Sequence, residues 1–273
     1  MEESKKDSSS NLMMPLRGIM EGKMSRGLYT LTSGMLTQQK KIEISSNNIA
    51  NINTAGYKKE QAVTTNFGSL LINKLQQNGI YENATPLSEV SLIRITEDNN
   101  TIHSQGTLDE TNGAFDFAII GAGFFAVNNN GTNLYTRNGS FDLDDDGYLT
   151  FSDKGRVQGE YGDIYIGTDK YDFLEDGSIY VDGELIDRIS IFDFEDYNTL
   201  DKVSEGMYGA TAEPYLVDVP QLKKGMIERS NVNLTQEMVD VLSSQRALQT
   251  NSQALKMYDL IMESAANQIG RIN

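Results

Sequence analysis

The chain has 273 residues, of which 38% are apolar and none is cysteine or tryptophan, and its formal net charge is −16. The absence of cysteine excludes disulfides and thiolate chemistry, and a single histidine, His103, excludes a multi-histidine metal site. Residues 24–75 carry a net charge of +4, whereas residues 97–220 carry −20. An acidic middle argues against nucleic-acid binding, which needs basic surface.

Residues 1–23 are polar at first and low in complexity, and we expect a disordered leader or an upstream start assigned in error, with Met24 as the start. They hold no apolar signal core followed by a small-residue cleavage site. No apolar run in the chain approaches the ~20 residues that span a bilayer. If the protein leaves the cytoplasm, it therefore does so without an ordinary cleaved signal.

Residues 24–58 predict a helix followed by an asparagine-rich turn. The apolar side chains of the helix recur every seven residues, which is typical of a narrow coiled-coil seam. One column holds Leu28, Met35, Ile42 and Ile49, and the other begins at Leu31 and ends at Ile52. Gly56 is free to adopt positive φ and end the segment.

Residues 59–112 are expected to be an extended linker, and residues 113–219 predict an all-β domain of irregular hairpins. Short aromatic and β-branched runs alternate there with turn dipeptides such as Asp146-Gly147, Asp176-Gly177 and Asp182-Gly183. The runs predicted as strands are Phe115–Ile120, Phe124–Val127, Asn133–Arg137, Tyr148–Phe151, Ile164–Ile166, Ser178–Val181 and Ile189–Phe194.

Residues 220–273 predict a second long helix, capped at its start by Asn231 or Asn233. Its apolar column repeats every seven residues and consists of Leu234, Val241, Leu248, Leu255, Met262 and Ile269. A narrow seam buries too little surface to hold a lone helix in water. The chain is therefore predicted to be α+β, with terminal helices that form a coiled-coil-like pair with each other or pack against neighbouring subunits.

Three groups of motifs resemble the bacterial flagellar rod and hook family of axial proteins, proximal and distal rod subunits alike. The resemblance covers nearly all of residues 24–273. Its motifs are Ser46–Lys58, then Gly121–Val127 with Tyr135–Phe141, then Glu228–Asn233 with Glu237–Val239 and Gln245–Ala247.

The resemblance implies a structural subunit of the basal-body rod that polymerises helically and transmits torque from motor to hook. Family members have terminal segments that are disordered in the monomer and become paired helices in the assembly. They are exported by the flagellar type III apparatus without a cleaved signal and lie outside the cytoplasmic membrane. The implied partners are copies of the chain and other rod or hook proteins, with no cofactor, nucleic acid or small-molecule substrate.

The expected assembly interface combines the two apolar seams with the asparagine-rich turn, which would fix the register between subunits. Its residues are Leu28, Leu31, Met35, Ile42, Asn47, Asn48, Ile49, Asn51, Leu234, Val241, Leu248, Leu255, Met262 and Ile269.

A calcium-dependent surface or cell-wall protein with coiled-coil ends is the alternative. Asp142, Asp144 and Asp146 followed by Gly147 nearly match a calcium loop, but Asp153 stands where a bidentate Glu is expected. The flanking sequence predicts strands, so a hairpin with its carboxylates in solvent is favoured over a metal site.

An enzyme is the weakest alternative. The run Gly121-x-Gly123-x-x-Ala126 fits a dinucleotide fingerprint, but a strand follows it in place of the helix that phosphate binding needs. His103 lies in an extended segment with no catalytic constellation marked out by spacing, and we expect it to be solvent-facing or part of the core.

Overall fold

The computed structural model describes residues 10–66, 94–129, 131–168, 170–204 and 206–270. Its long helices are α1, Ser10–Ala50, and α2, Leu234–Gly270. The chain forms two compact units: among the described residues, the first holds 10–46, 61–66, 94–99 and 238–270, and the second holds 47–60 and 100–237. No helix within the described residues has the length and apolarity to cross a membrane.

Helix α1 begins at Ser10 and so includes residues 10–23 of the segment that was expected to be a disordered leader or an upstream start assigned in error. Residues 1–9 lie outside the described part of the chain. Residues 10–23 mix good helix formers such as Leu and Met with Pro15, Gly18 and Gly22, which disfavour a helix, but extending an existing helix is easier than nucleating one. The predicted heptad seam does not reach this segment.

The two helices lie side by side within the first unit. A Cβ placed on Gly27 would lie 3.5 Å from the ring of Tyr258, and one placed on Gly34 would lie 3.2 Å from the Asn251 amide. Because the contacts pair rising numbers in α1 with falling numbers in α2, the helices run in opposite directions. A coiled-coil geometry for this pair stays a prediction.

The described strands are short. The first nine are β1 Glu60–Asn66, β2 Arg94–Thr101, β3 Leu108–Glu110, β4 Phe117–Ile119, β5 Phe124–Asn129, β6 Thr132–Thr136, β7 Asp142–Leu143, β8 Leu149–Thr150 and β9 Arg156–Val157. The others are β10 Asp172–Phe173, β11 Ser178–Val181, β12 Glu184–Arg188, β13 Ile191–Asp193, β14 Leu200–Ser204, β15 Met207–Ala210, β16 Tyr215–Leu216, β17 Leu222–Lys224 and β18 Met226–Glu228.

The largest sheet follows the order β14-β15-β6-β5-β9-β8-β7, and β13 joins it by pairing with β5 and with β16. Smaller sheets pair β10-β11-β12, β4 with β17, β3 with β18, and β1 with β2. The β structure thus extends beyond the predicted 113–219 at both ends, because β3, β17 and β18 lie outside it. These three strands are mixed in polarity, so they carry little of the alternation that marks a strand in sequence.

Both faces of β5 are buried, so this strand organises the core of the second unit. Phe125 and Val127 belong to the main cluster with Phe117, Leu149, Ile179 and Ile189, all at most 2% exposed. Phe124 and Ala126, on the other face, pack in a smaller aromatic cluster with Tyr135, Phe194 and Tyr208. Because alternate residues of a strand point to opposite faces, β5 joins the two clusters.

Two hairpins in the second unit share one register, thirty residues apart. In the first hairpin Asp142 pairs with Thr150 and Leu143 with Leu149; in the second Asp172 pairs with Tyr180 and Phe173 with Ile179. Gly147 and Gly177 stand at equivalent turn positions, and both have φ +90°.

An arginine from a following strand binds the turn aspartate of each hairpin. Arg156 Nη2 lies 2.9 Å from Asp146 Oδ2, and Arg188 Nη2 lies 3.1 Å from Asp176 Oδ2. The two hairpins with their arginines are therefore two copies of one local structure.

We expect Leu149→Ala and Ile179→Ala each to lower the free energy of unfolding by about 2–5 kcal/mol, since both side chains are 0% exposed at equivalent positions. Leu185, which is 51% exposed on β12, provides the matched control, and Leu185→Ala should change stability by no more than about 0.5 kcal/mol. Urea unfolding of the full chain measures all three. Equal losses in all three variants would contradict the assigned core.

Candidate functional site: a buried polar junction

The carboxylate of Glu228, which is 1% exposed, joins segments that are far apart in sequence. Its Oε1 accepts hydrogen bonds from Lys58 Nζ at 2.6 Å and from the Gly106 amide at 2.7 Å. Its Oε2 accepts a hydrogen bond from Arg137 Nη1 at 3.3 Å. Lys58, Arg137 and Glu228 come from the three motif groups that carry the resemblance, so the structure brings these groups together. We call these three residues, with Asn48, Lys59 and Glu237 beside them, the buried polar junction.

Two buried cations thus share one carboxylate. Lys58 Nζ also donates to the Ser104 carbonyl at 2.8 Å, and Arg137 Nη2 donates to the Gly121 carbonyl at 2.6 Å. Burial lowers the pKa of Lys58 and of Arg137, and the charge of Glu228 acts in the opposite direction on both. Glu228 is therefore the shared counter-charge of both cations, whereas Nε of Arg137 is buried without a hydrogen-bond partner among the described residues.

Asn48 occupies the second part of the junction and is 1% exposed. Its Nδ2 donates to the Glu60 carbonyl at 2.8 Å and to Glu237 Oε2 at 3.3 Å. Its Oδ1 accepts from the Glu60 amide at 3.0 Å and from the Tyr57 hydroxyl at 3.2 Å. These four bonds use the full capacity of the amide. Asn48 was expected to contact a neighbouring subunit, but in this structure it is satisfied within its own chain.

The start of α2 is tied to the same region. Lys59 Nζ lies 2.6 Å from Glu237 Oε1, and the Lys59 amide donates to Asn231 Oδ1 at 2.7 Å. Asn231 Nδ2 donates in turn to the carbonyls of Ile102, at 2.8 Å, and Ser104, at 3.0 Å. Asn231 therefore connects two strand-forming segments, and the cap of α2 is Asn233, whose Oδ1 accepts from the Gln236 amide at 3.2 Å.

The side chain of Asn51 stabilises the turn itself. Asn51, which is 9% exposed, donates to the carbonyl of Asn47 at 3.0 Å and accepts from the Thr54 hydroxyl at 3.1 Å. Asn47 is itself exposed.

Gly56 makes the turn possible. Its φ is +68°, and its amide donates to the Glu228 carbonyl at 2.7 Å. A Cβ at this position would lie 2.2 Å from the amide nitrogen of Asn138 and 2.4 Å from the carbonyl carbon of Arg137. Only glycine fits, because both the backbone angle and the close approach exclude a side chain.

His103 lies beside the junction in an aromatic setting. Its ring centroid is 5.0 Å from that of Tyr197, 5.3 Å from that of Tyr208 and 5.6 Å from that of Phe124. Burial lowers the pKa of His103 to about 4, and the nearby positive charges add to this effect. His103 was expected to be solvent-facing or part of the core, and it is half-buried against these aromatic rings.

The acidic turn, residues 142–146, is paired with an arginine from a neighbouring strand. Arg156 Nη2 lies 2.8 Å from Asp144 and 2.9 Å from Asp146, and its guanidinium stacks over the Tyr148 ring at 3.8 Å. Asp144 Oδ1 also accepts from the amides of Asp146 and Tyr148. The hairpin was expected to leave its carboxylates in solvent, and Asp142 and Asp146 are exposed. Asp144 is half-buried, and the pairing of Asp144 and Asp146 with Arg156 was not expected. Among the described residues, no group of three or more His, Cys, Asp or Glu could hold a metal ion.

The seam residues of α1 are partly covered within the chain. Leu31, Met35, Ile42 and Ile49 are half-buried, and Leu28 is 37% exposed. Their role in assembly stays a prediction.

The seam residues of α2 likewise range from half-buried to exposed. Val241, Leu248 and Leu255 are half-buried, whereas Leu234 and Met262 are 40% and 37% exposed. The side chain of Ile269 lies outside the described part.

The sequence predicted no role for four charged residues of these motifs, Lys58, Arg137, Glu228 and Glu237. Charged side chains are usually exposed, so nothing in the local pattern marked them as buried. The available signal was that each of these motifs places a charge beside apolar residues at the edge of a predicted element.

Long terminal helices, a β-rich second unit and a buried polar junction are features of a structural subunit. Comparison with known proteins gives the family. Residues 28–58 match the model for the flagella basal body rod protein, residues 118–185 that for the flagellar hook protein FlgE/F/G D1 domain, and residues 223–269 that for the flagellar basal body rod FlgEFG protein C-terminal region.

Curated relatives match over nearly their whole length. The chain is 32% identical to flagellar basal-body rod protein FlgG of Bacillus subtilis, over 89% of this chain and 99% of the relative. It is 30% identical to FlgG of Agrobacterium fabrum, over 86% and 95%, and 27% identical to flagellar hook-basal body complex protein FlhO of B. subtilis, over 91% and 100%.

The chain belongs to the flagellar basal-body rod protein family and is a structural subunit of the rod. The comparisons give no support to a calcium-dependent surface protein.

We expect Glu228→Gln to lower the free energy of unfolding by about 3–5 kcal/mol, because Lys58 and Arg137 would remain buried without a counter-charge. The control is Asp109→Asn, which also removes one negative charge but breaks the exposed Asp109–Arg229 pair, and should cost no more than about 1 kcal/mol. Urea unfolding at neutral pH compares them. Equal, small losses would show that the junction is not stabilising.

His103 should make stability depend on pH. Because its folded pKa, about 4, lies below the unfolded value of 6.5, the neutral ring stabilises the fold. That contribution is fully present above pH 6.5 and is lost as the pH falls toward 4, by on the order of 2 kcal/mol. The His103→Phe variant, whose ring suits the aromatic setting, should lack this component. Parallel unfolding curves for the two proteins across this pH range would contradict the assignment.

Proposed function

We propose that the chain polymerises helically with copies of itself and with other rod and hook proteins, and that the assembly transmits torque from the motor to the hook. The observation that carries this proposal is the apolar surface that α2 leaves exposed. Met257, Leu260 and Ile261 are 59%, 61% and 66% exposed, and Met238 and Leu242 form a second exposed group at 51% and 55%. Contiguous apolar surface of this kind marks an interaction site.

The face of α2 that is covered within the chain is mixed in polarity. Val241, Leu248 and Leu255 are half-buried, but Ser244, at 7% exposed, and the half-buried Asn251 lie on the same side. Polar groups in a seam favour register over stability. The intrachain contact therefore leaves most apolar side chains of α2 to be buried by neighbouring subunits.

Helix α1 contributes to the same kind of surface. Tyr29 and Leu36 are 59% and 62% exposed, although both are large and apolar. The seam residues, the exposed Asn47 of the asparagine-rich turn and these outward residues together form the proposed assembly interface. Copies that bury such surfaces meet the ordering cost of the helices on assembly.

The buried junction suits a protein under load. It binds the residues after the asparagine-rich turn to a β strand and to the start of α2 through ion pairs. Such networks rigidify the structure around them. A rigid second unit would pass torque between neighbours with little deformation.

The names of the relatives guide the proposed setting. FlhO is named as a hook-basal body complex protein, and FlgG as a basal-body rod protein. We place this chain outside the cytoplasmic membrane, in the periplasm and cell wall, after export through the flagellar type III apparatus without a cleaved signal. Neither a nucleic acid nor a small-molecule substrate has a role in this proposal.

The double variant Leu260→Asp/Ile261→Asp should reduce incorporation into basal bodies by about tenfold or more, because burying charges without partners costs several kcal/mol. Unfolding of the purified variant should change by no more than about 0.5 kcal/mol, since both positions are exposed. Quantitative immunoblots of isolated basal bodies measure incorporation.

Gln249→Asp/Gln253→Asp is the matched control, because it adds the same two charges at exposed polar positions of α2. It should assemble and support swimming. Normal incorporation of Leu260→Asp/Ile261→Asp would remove this surface from the interface.

A further inference from the structure

A groove of about 450 Å³ opens on the second unit between the end of β4 and the segment that starts at β16. Its apolar wall is formed by Ile119, Ile120, Leu216, Val217, Val219 and Pro220. Three of these side chains face outward, since Ile120, Leu216 and Val219 are 36%, 50% and 75% exposed. Within the described residues, β16 pairs with β13 alone, so one edge of this short strand borders the groove without a partner strand.

The charge of the groove limits what can enter it. Asp193 and Asp218 line it, and no basic side chain is among the lining residues. Both oxygens of Asp193 accept hydrogen bonds from tyrosines, Tyr197 at 2.9 Å and Tyr215 at 3.0 Å. A suitable occupant is apolar and carries a positive charge beside its apolar group.

The same acidic unit of another copy is excluded as the occupant, because residues 97–220 carry a net charge of −20. Helix α1, with five Lys or Arg and two Glu, carries a net charge of +3 and has the required sign. On α1, Leu36 is 62% exposed, and Lys40 follows it four residues later on the same face of the helix. Lys40 pairs with Glu43 at 3.4 Å, an exposed contact that is weak enough to be exchanged.

We propose that this groove binds Leu36 and Lys40 of helix α1 from a second copy of the chain, with Leu36 against Val219 and Lys40 near Asp218. The inference rests on the proposed function, because it requires copies to assemble. It adds which surfaces meet: the basic helix of one subunit and the acidic β unit of the next.

Cysteine crosslinking tests the contact without background, because the natural chain has no cysteine. The full-length variant Leu36→Cys/Val219→Cys replaces the native protein in cells, and isolated basal bodies are oxidised with copper phenanthroline. Dimers and higher multimers of the chain should appear on non-reducing gels. The control Leu36→Cys/Leu185→Cys uses an equally accessible position of the same unit, 51% exposed and outside the groove, and should give none.

If both variants are incorporated and crosslink equally, or neither crosslinks, the inference is overturned while the rod assignment stands. If the unmodified chain is itself absent from basal bodies, the proposed function fails instead.

A charge exchange covers the case in which the cysteine variants fail to assemble. Asp218→Lys should lower incorporation by about tenfold, because it sets two lysines against each other. Combining Asp218→Lys with Lys40→Asp should restore incorporation. Normal incorporation of Asp218→Lys, or no recovery in the combined variant, would overturn the proposed contact.

Discussion

The carboxylate of Glu228 compensates two cations that the fold removes from water, and the arrangement of the second unit depends on it. Lys58 pairs with one oxygen of Glu228 and Arg137 with the other, and each also donates to a carbonyl, Ser104 for the lysine and Gly121 for the arginine. Burying charge is favourable only where geometry and hydrogen bonds repay the lost hydration. The segments that supply these groups are therefore held in one relative position.

A steric constraint at Gly56 holds the same segments together. The backbone hydrogen bond to Glu228 brings the turn so near to Asn138 that no side chain fits between them. The asparagines then satisfy the remaining polar groups, with Asn48 using its full bonding capacity. Asn48 and Asn51, which helix propensity disfavours at a helix end, are explained by their contacts.

Several elements could be predicted because their signals are local. The strand Ser178–Val181 has the predicted bounds, since a β-branched and aromatic run lies between two Asp-Gly turns. Asp182 and Gly183 both adopt positive φ, as the turn of a two-residue hairpin requires. Strands of two residues, such as Asp142–Leu143, and the polar edge strand Glu184–Arg188 depend on their neighbours and have no signal of their own.

The buried junction was harder to predict, because the residues that pair in it lie far apart in sequence. Lys58 and Glu228 are 170 residues apart, and Arg137 and Glu228 are 91 apart, so no local pattern records their pairing. The motifs contained the right residues, but only the fold shows that they are buried together. The pairing of Asp144 with Arg156 was missed for the same reason, because Arg156 lies in the next strand and not in the Asp-rich turn.

That separation also has a consequence in time. During synthesis the ribosome releases Lys58, and then Arg137, long before Glu228 follows. Asn48 is released earlier still, and its partner Glu237 lies 189 residues further on. Contacts this distant in sequence form late, since the intervening chain must be ordered first. The junction can close only when nearly the whole polypeptide has been made, so the sequence order of its charges delays completion of the fold until synthesis is almost over.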